Sequence, residues 1–504
     1  MVFVPAAGAP PQQSDLTDIT LLYTSDEHGW LLPFKEGGRT WGGAAEVLGA
    51  WITREGHCPG PQPREFDGQA APVPDAPSAP GCEDRRTIAI SGGDSYTGPA
   101  VTTFFAGAPM AQALARMGYV ASALGNHEFD FGRERFVRNR AASGMEYLAA
   151  NVQSRLPDMH LPPYVMVERR GVKVAFVGLA TDTTLSTAMA SRFTGVNFLS
   201  EEAPLDAAVR GAWRAHADVV VVIAHECADV VAPILARHPE WRLAFFGAAH
   251  CHKVVEQVVN GTPLVSPGWR FAHYVRVPIV VDRAAAPGRR LVSSRAEVVD
   301  VVRDDSTIAP VDAPLSALVS GYAARLDAAL GEPIGFSRQG MAKGSQQIAR
   351  WIAGAWREEL HADVAIINMG GIRQAVSKGP LTLATVWSVM PFDNKLIVAR
   401  VSGRQLVDDV RVPDMATSGL VEKGDGYALS DGRRLDPDKV YSVVTIDFLY
   451  LGGAHVTMRT QDPSATDTGI DWREPVVAWT KRGLATPDVP VELRLPPGIV
   501  VTPE

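Results

Sequence analysis

The stretch YVASALGNHEFD (residues 119–130) joins a short apolar run to a cluster of polar side chains. Residues 119–124 suit a buried strand, and the hexapeptide Gly125-Asn126-His127-Glu128-Phe129-Asp130 follows it directly. In open α/β sheets, ligands bind beyond the carboxyl ends of the strands. We therefore expect residues 125–130 to lie at a ligand-binding edge of a sheet.

Similar apolar runs recur through the first 300 residues and alternate with helix-like segments. Runs such as VVVVIA (219–224) lack polar alternation, which is typical of strands buried on both faces. Helices are predicted over 109–118 and 201–217. The alternation predicts a layered α/β domain with a largely parallel or mixed sheet. The predicted strands cover residues 19–25, 87–91, 119–124, 172–180, 218–224, 243–248 and 263–268.

Five of these strands lead into side chains that can bind metal. The candidates are Asp26, His28, Asp94, Asn126, His225, His250 and His252. Two divalent ions about 3.5–4 Å apart need a bridging carboxylate with neutral nitrogen and amide ligands, and this set supplies that mixture. Imidazole and carboxylate suit Zn, Mn or Fe. Side chains alternate along an extended segment, so we expect Asp26 and His28, and likewise His250 and His252, to point the same way.

Composition excludes several classes of protein. The chain has 504 residues, 46% of them hydrophobic and 21% charged, so it is neither disordered nor fibrous. Its net charge of −8 supplies no basic field for a nucleic-acid polymer. No apolar run approaches the roughly 20 residues of a membrane span. Residues 1–20 lack the pattern of a signal peptide.

The pattern changes after the turn-rich segment around residues 283–310. An amphipathic helix is predicted next, and a second α/β unit follows it. We expect a first domain over 18–310, a linker helix over 311–334 and a smaller second domain over 335–490. The second domain is predicted to contain helices at 345–360 and 473–483 and strands near 363–368, 395–403 and 441–453.

At this level of detail the sequence resembles a known family. The ordered set Asp26-x-His28, Gly93-Asp94, Gly125-Asn126-His127-Glu128, His225 and His250-x-His252 is similar to that of calcineurin-like metallophosphoesterases. The later motifs resemble the C-terminal domain of 5′-nucleotidases. These motifs are Asn368-Met369-Gly370-Gly371-Ile372-Arg373, Pro391-Phe392-Asp393-Asn394 and Asp447-Phe448-Leu449-x-x-Gly452-Gly453. The resemblance covers residues 18–480 and implies a metallophosphoesterase domain followed by a substrate-binding domain.

The resemblance also implies a role for each motif residue. Asp26, His28, Asp94 and His252 would hold one metal ion. Asp94 as a bridge, with Asn126, His225 and His250, would hold the other. His127 and Asp130 would form the catalytic pair beside a metal-bound hydroxide that attacks phosphorus. Arg373 would bind phosphate oxygens, and the remaining substrate-binding candidates are Asn368, Phe392 and Asn394.

The expected function is 5′-nucleotidase-type removal of phosphate from a small phosphoester. Family members stack a nucleobase between two aromatic rings, but Leu420 and Val456 stand at the matching positions here. Tyr427, Tyr450 and His455 are nearby substitutes. The missing rings leave two alternatives within the same fold, a thiosulfohydrolase and a 2′,3′-cyclic nucleotide phosphodiesterase. A non-catalytic ligand-binding module is a further alternative.

Four cysteines do not make a disulfide scaffold. Cys58 and Cys82 flank a Pro- and Gly-rich segment, and they either form a disulfide or are two unrelated thiols. Cys227 and Cys251 lie beside histidines, and we expect both to be inert thiols. The resemblance implies a periplasmic or extracellular protein.

Overall fold

The computed structural model describes residues 15–61, 82, 86–303, 311–424, 426–483, 486–496 and 499–501. The first domain is predicted over 18–310 and the linker helix from 311. Residues 18 and 311 are among the described residues, and residue 310 is not. No helix in the described ranges is long and apolar enough to cross a membrane.

The first sheet is mixed and has seven strands. Its centre is parallel, because Leu16–Thr24 pairs with Thr87–Ser91, and Thr87–Ser91 pairs with Tyr119–Ala123. A long strand at His273–Asp282 pairs antiparallel with Leu16–Thr24. The remaining strands of this sheet are Glu146–Leu148, Leu291–Ser294 and Glu297–Asp300.

The second sheet has six strands around a parallel centre. Val219–His225 lies between Val172–Ala180 and Phe245–Gly247, parallel to both. The other strands are Tyr164–Arg169, Val254–Val259 and Thr262–Pro267. The predicted strands of the first half are thereby confirmed, with ends that differ by at most three residues.

The two sheets pack face to face, with helices on their outer faces. Side chains from both sheets, including Tyr23, Phe176 and Phe245, form one buried cluster between them. The central strands are therefore buried on both faces, which explains their lack of polar alternation. The helices of this half are Ala44–Glu55, Ala100–Thr103, Ala108–Met117, Arg133–Ser143, Thr184–Thr187, Glu202–Arg214 and Ala228–Arg237.

The predicted amphipathic helix covers Ala313–Leu330. Asp312 caps its first turn by accepting a hydrogen bond from the backbone N–H of Leu315. Its buried side chains Leu315 and Val319 belong to the helical core on the outer face of the first sheet. The helix therefore packs on the first half of the chain.

The second half contains a six-stranded mixed sheet with its own core. Its strands are Val364–Asn368, Lys395–Ser402, Met415–Ser418, Val440–Ile446, Thr466–Asp471 and Ile499–Val501. Its helices are Gln346–Glu359, Leu383–Val389, Gly403–Val410, Asp447–Tyr450, Met458–Gln461 and Glu474–Arg482. The strand predicted near 441–453 ends at Ile446, where a short helix begins.

Short strands and 3₁₀ turns complete the described structure. The short strands are Phe34–Glu36, Arg39–Trp41, Val152–Ser154, Val196–Phe198, Val302–Arg303, Pro333–Ser337, Gly379–Thr382, Leu420–Lys423 and Gly426–Leu429. The 3₁₀ turns are Ala190–Phe193, Pro239–Trp241, Met369–Gly371, Gly453–His455 and Val491–Arg494.

The two halves touch directly. The backbone N–H of Ala100 donates to Ser388 Oγ at 3.1 Å. The Phe104 and Trp387 rings meet edge to face, with centroids 5.4 Å apart. The two edges that carry the polar motifs consequently face each other.

Cys58 and Cys82 form a disulfide with a Cα–Cα distance of 5.6 Å, which settles the first cysteine pair.

The neighbouring His57 is 4% exposed. Its Nε2 donates to the Met117 carbonyl at 2.9 Å, and its Nδ1 accepts from Thr87 Oγ1 at 2.8 Å. The neutral imidazole satisfies both contacts.

We expect His57 to make the protein less stable in acid. Burial lowers the pKa of His57 to about 4, although the Met117 hydrogen bond raises it. An unfolded histidine has a pKa of about 6.5 and binds a proton first as pH falls. Stability is therefore lost between about pH 6.5 and pH 4, and by pH 5 the loss is about 2 kcal/mol.

Urea unfolding at pH 7 and pH 5 tests this expectation by comparing the wild type with His57→Gln. The variant is expected to be less stable at pH 7 but to lose less stability between the two pH values. Equal losses in both proteins would contradict the assignment.

Candidate functional site

Two groups of candidate metal ligands lie at the edge where the two sheets of the first half meet. Asp26, His28 and His252 form one group, and Asp94, His225 and His250 form the other, each with its ligand atoms within 4.8 Å of one another. In the first group, His28 Nε2 lies 2.9 Å from His252 Nε2. His252 Nε2 lies 3.5 Å from Asp26 Oδ1.

Asp94 reaches both groups. Its Oδ2 lies 3.2 Å from His225 Nε2 and 3.7 Å from His28 Nε2. Asn126 joins the second group, because its Oδ1 lies 3.0 Å from His225 Nε2. His250 Nδ1 lies 3.2 Å from the same nitrogen. The structure thus brings together the residues of each candidate ligand set.

Backbone carbonyls fix which ring nitrogen of two histidines faces each group. His28 Nδ1 lies 3.1 Å from the Thr97 carbonyl, and His225 Nδ1 lies 2.8 Å from the Gly92 carbonyl. A carbonyl can only accept a hydrogen bond, so each Nδ1 carries a proton. The Nε2 of each ring then points into its group, and it is the nitrogen available to a metal ion.

Five candidate ligands adopt a left-handed backbone that L-residues rarely occupy. Their φ angles are 51° for Asp26, 45° for His28, 59° for Asp94, 66° for His250 and 56° for His252. Such residues are costly and collect at functional sites where the surrounding structure holds them. The expectation that each Asp-x-His or His-x-His pair lies on an extended segment is wrong: tight turns bring these ligands together.

Glycines make room for Asp94. Gly93, with φ 97°, precedes it in the turn. A Cβ on Gly125 would lie 2.1 Å from Asp94 Oδ1, so only glycine fits beside this carboxylate. Gly125 is therefore required by the close approach of Asp94.

The electrostatics favour bound cations. Burial lowers the pKa of His28, His250 and His252, which keeps these imidazoles neutral and their lone pairs available. Burial also disfavours the charged form of His225, but the Asp94 carboxylate outweighs it and raises the pKa to about 10. The space between His225 and Asp94 thus attracts positive charge.

The side chains present fit two divalent metal ions. Four ligand atoms converge in the second group, namely His225 Nε2, Asn126 Oδ1, Asp94 Oδ2 and His250 Nδ1, and the first group brings together two imidazoles and a carboxylate. Lone pairs that face one another at this separation need a proton or a cation between them. Nitrogen and carboxylate ligands suit Zn, Mn or Fe.

His127 and Asp130 form a hydrogen-bonded pair beside the second group. His127 Nδ1 donates to Asp130 Oδ2 at 2.8 Å, which leaves Nε2 facing the cavity. The His127 backbone N–H donates to Asp94 Oδ1 at 2.9 Å. Burial disfavours the charged imidazole, but Asp130 and Asp94 outweigh it and raise the pKa of His127.

Arg373 crosses from the second half to the first metal group. Its Nη2 lies 3.2 Å from His28 Nε2, although 345 residues separate the two. Its guanidinium carbon lies 5.8 Å from the centroid of Phe392, whose ring stacks on His127 at 5.4 Å. The second half therefore supplies a cation and an aromatic ring to the metal-binding edge.

A cavity of about 470 Å³ lies between these parts. Of the thirteen candidate residues, ten line it and Asp26, His28 and His225 lie buried behind it. Asn394 donates to Asp447 Oδ1 at 2.7 Å. Asn368 Oδ1 is buried without a hydrogen-bond partner among the described residues, so it is available to a ligand.

Several lining residues were missed by sequence reasoning. From the first half these are Ser186, Thr187, Ala188, Met189 and Arg192; from the second half they include Val412, Pro413, Ile446 and Phe448. The first-half residues belong to two short helical turns and the loop between them, which carry no motif, so no sequence signal could have found them. Phe448 lies inside a quoted motif and could have been selected as an aromatic ring.

The expected base-stacking positions do not reach the cavity. Leu420 and Val456 are buried in the core of the second half. Of the three substitutes, His455 lines the cavity. Tyr427 lines a different pocket, and Tyr450 is buried with its hydroxyl donating to the Asp462 carbonyl.

Trp269 supports one ligand from behind. Its ring stacks on His252 with centroids 4.6 Å apart and an angle of 7° between the planes. The Arg270 guanidinium lies 3.3 Å from the Trp269 ring centroid, which is a cation–π contact. Trp269 follows no motif, and the sequence did not indicate it.

The expectation of inert thiols at Cys227 and Cys251 is wrong. The two residues form a disulfide with a Cα–Cα distance of 5.2 Å. The loops after two neighbouring strands of the second sheet bring them together across 24 residues of sequence. No cysteine among the described residues is free.

Comparison with known proteins agrees with this architecture. Residues 321–418 match the family model described as 5′-nucleotidase, C-terminal domain. The chain is 23% identical over 540 residues to protein UshA of Yersinia enterocolitica, covering 93% of this chain and 92% of the relative. It is 25% identical over 452 residues to endonuclease YhcR of Bacillus subtilis, covering 80% of this chain but 37% of the relative.

Solved structures share the fold. A 5′-nucleotidase precursor from Thermus thermophilus superposes with a TM-score of 0.76 at 20% identity, covering 93% of this chain and 97% of that one. The sulfate thiohydrolase SoxB, also from Thermus, superposes with a TM-score of 0.70 at 17% identity, covering 94% and 95%.

The structure has a layered α/β first half and a smaller α/β second half, and the Thermus 5′-nucleotidase precursor shares this fold. The predicted fold class is confirmed. The chain is similar to 5′-nucleotidases in both comparisons, and residues 321–418 match the family's C-terminal domain.

Proposed function

We propose that this protein is a dinuclear metal-dependent phosphoester hydrolase that removes phosphate from nucleotides. The observation that carries the proposal is the convergence of two carboxylate–imidazole groups, shared by Asp94, on a cavity that Arg373 enters from the second half. One ion would be held by Asp26, His28, His252 and Asp94. The other would be held by Asp94, Asn126, His225 and His250. Bound ions would supply Lewis acidity and activate a water.

The chain's own residues would orient the phosphoester. Arg373 would donate its planar fork to two phosphate oxygens, which suits a tetrahedral dianion better than a single ammonium does. Asn368, whose Oδ1 has no partner in the described part of the chain, would contact the substrate from the same side of the cavity.

His127 would act on the leaving oxygen. Asp130 accepts the Nδ1 proton, so Nε2 is the nitrogen that faces the cavity. A protonated Nε2 would donate to the oxygen that leaves phosphorus, and Asp130 would stabilise the charged imidazole. Phe392 holds the plane of the His127 ring by stacking on it.

The far side of the cavity offers an apolar wall for a nucleoside. Val412, Pro413 and Phe448 lie there with His455. Stacking on an aromatic face is worth about 1–3 kcal/mol per base and is tolerant of base identity. We propose that Phe448 and His455 take the place of the aromatic pair missing at positions 420 and 456, with Asn394 positioning the Asp447–Phe448 segment.

The thiosulfohydrolase alternative is less well supported. A sulfur substrate carried on a protein would need a narrow channel and no arginine for phosphate, whereas Arg373 contacts the metal-binding edge here. A relative named as an endonuclease makes single-stranded DNA a useful test substrate.

Hydrolysis of a substrate panel tests the proposal, with released phosphate measured for the monoesters and the products of the diesters and the UDP-sugar separated by chromatography. The panel holds AMP, UMP, a UDP-sugar, 2′,3′-cyclic AMP, p-nitrophenyl phosphate and single-stranded DNA. We expect metal-stripped protein to be inactive, and added Mn²⁺ or Zn²⁺ to restore turnover of AMP or UMP.

The panel separates the alternatives. Turnover that persists in stripped protein would contradict the metal-dependent mechanism. Restored activity on p-nitrophenyl phosphate alone would leave a metal centre whose substrate is not a nucleotide. Restored activity on the cyclic nucleotide alone would favour the phosphodiesterase.

We propose further that the chain consists of a first domain over 18–310, a linker helix over 311–334 and a second domain over 335–490. We also propose that the protein is exported. Two disulfides support export, because disulfides persist in oxidising compartments.

A further inference from the structure

We propose that the Cys227–Cys251 disulfide positions the metal ligands, so that metal retention depends on this bond. The inference rests on the proposed metal centre. Cys227 lies two residues after His225, and Cys251 lies between His250 and His252. One covalent bond thus joins the two chain segments that contain the candidate ligands His225, His250 and His252.

The loop that carries His250 and His252 has few other restraints. Its backbone N–H groups donate from Ala249 to the Glu226 carbonyl, from Cys251 to the Ala249 carbonyl within the loop, and from His250 to the Asp26 carboxylate, and the Trp269 ring stacks on His252. Cys251 is exposed, and both flanking histidines have left-handed φ angles. Residues in that region persist only where the surroundings hold them in place.

The other end of the bond is anchored firmly. Cys227 is 9% exposed and its carbonyl accepts from the N–H groups of Val230 and Val231, at the start of helix Ala228–Arg237. Its own N–H donates to Glu226 Oε1 at 2.7 Å. The disulfide therefore ties the exposed loop to a helix start and to the strand that ends at His225.

The Cys58–Cys82 disulfide provides a matched control. Both bonds span 24 residues, so the chain-entropy model predicts equal stabilisation from each. Cys58–Cys82 joins no residue of the metal groups. A difference in metal binding between the two double variants therefore reports the position of the bond and not its general effect on stability.

The test measures Mn²⁺ affinity by competition with a chelator, without substrate, for the wild type, Cys227→Ala/Cys251→Ala and Cys58→Ala/Cys82→Ala. Removal of a group that orients a metal ligand typically lowers the metal affinity by about 10–100-fold. We expect that loss in the first variant alone, while the melting temperatures of the two metal-free variants fall by similar amounts. Equal affinity in all three proteins, or equal losses in both variants, would overturn the inference.

A measurement on the wild type removes dependence on the variant's folding. In a glutathione buffer, each protein disulfide is in equilibrium with its two reduced cysteines. Reduction of the disulfide consumes two glutathione thiols, which supply two electrons and two protons and form one glutathione disulfide. Coupling is reciprocal, so Mn²⁺ should favour the oxidised Cys227–Cys251 pair by the same factor and leave Cys58–Cys82 unaffected. Alkylation and mass spectrometry read each pair, and an equal response of both pairs overturns the inference.

The two proposals fail in different ways. A wild-type chain that binds no Mn²⁺ or Zn²⁺ overturns the proposed function, and this inference with it. A wild type that binds metal and hydrolyses nucleotides, with a Cys227→Ala/Cys251→Ala variant of equal affinity, overturns the disulfide inference alone.

Discussion

Asp94→Asn is expected to lower kcat for phosphate release by about 10³-fold or more. Asp94 is 1% exposed and reaches both metal groups, so the substitution removes charge from both at once. A metal ion contributes several kcal/mol to the transition state, and about 4 kcal/mol corresponds to 10³-fold. Burial opposes the charged carboxylate, but the His225, His127 and His28 imidazoles lower the pKa of Asp94 well below its usual range.

The Asp94 test becomes specific when the metal content of the Asp94→Asn variant is measured together with its activity. We expect the variant to hold less metal after dialysis while its far-UV circular dichroism matches that of the wild type. Asp229→Asn is the control, because Asp229 is an exposed carboxylate two residues beyond Cys227 and carries the same charge. Full metal content and a kcat within threefold of the wild type would refute a bridging role for Asp94.

His127→Ala is expected to lower kcat by about 10²–10⁴-fold, the range of general acid–base catalysis. His127 is outside both metal groups, so the variant should keep its metal. A nucleoside alkoxide needs a proton to leave, whereas nitrophenolate leaves without one. If His127 protonates the leaving oxygen, the loss should be large with AMP and small with p-nitrophenyl phosphate.

The leaving-group comparison also tests the Asp130 contact. Asp130→Asn should reproduce the pattern with a smaller loss, because the ring stays but loses the carboxylate that stabilises its charge. His273→Ala is the control, since His273 forms a similar pair with Asp300 at 2.9 Å outside the cavity lining. Equal losses on both substrates would assign His127 to transition-state stabilisation instead.

The local pattern predicted the strands of the first half well. The glycine turns and polar residues after Thr87–Ser91 and Tyr119–Ala123 stand where parallel strands end, and parallel strands end at one edge. Strand order along the chain was therefore enough to bring Asp94, Asn126 and His127 together. The second half was predictable for the same reason, through the turn after Val364–Asn368.

The details of the ligand turns were not predictable. A period-two argument assumed extended backbone at residues 26–28 and 250–252, but both segments turn through left-handed residues. The Asp26 N–H donates to the Gly93 carbonyl, and the His28 N–H donates to that of Asp94. Those bonds join distant loops, so no local pattern specifies them.

The sequence by itself determined the fold class and the order of the candidate ligands along the chain, because these depend on strand exits and side-chain types. Tertiary structure alone decided that Arg373 meets His28, that Trp269 supports His252 and that Cys227 pairs with Cys251. It also decided which apolar residues wall the cavity. Each of these contacts joins segments far apart in the chain, and their distances follow from how sheets and loops pack and not from the residues beside them.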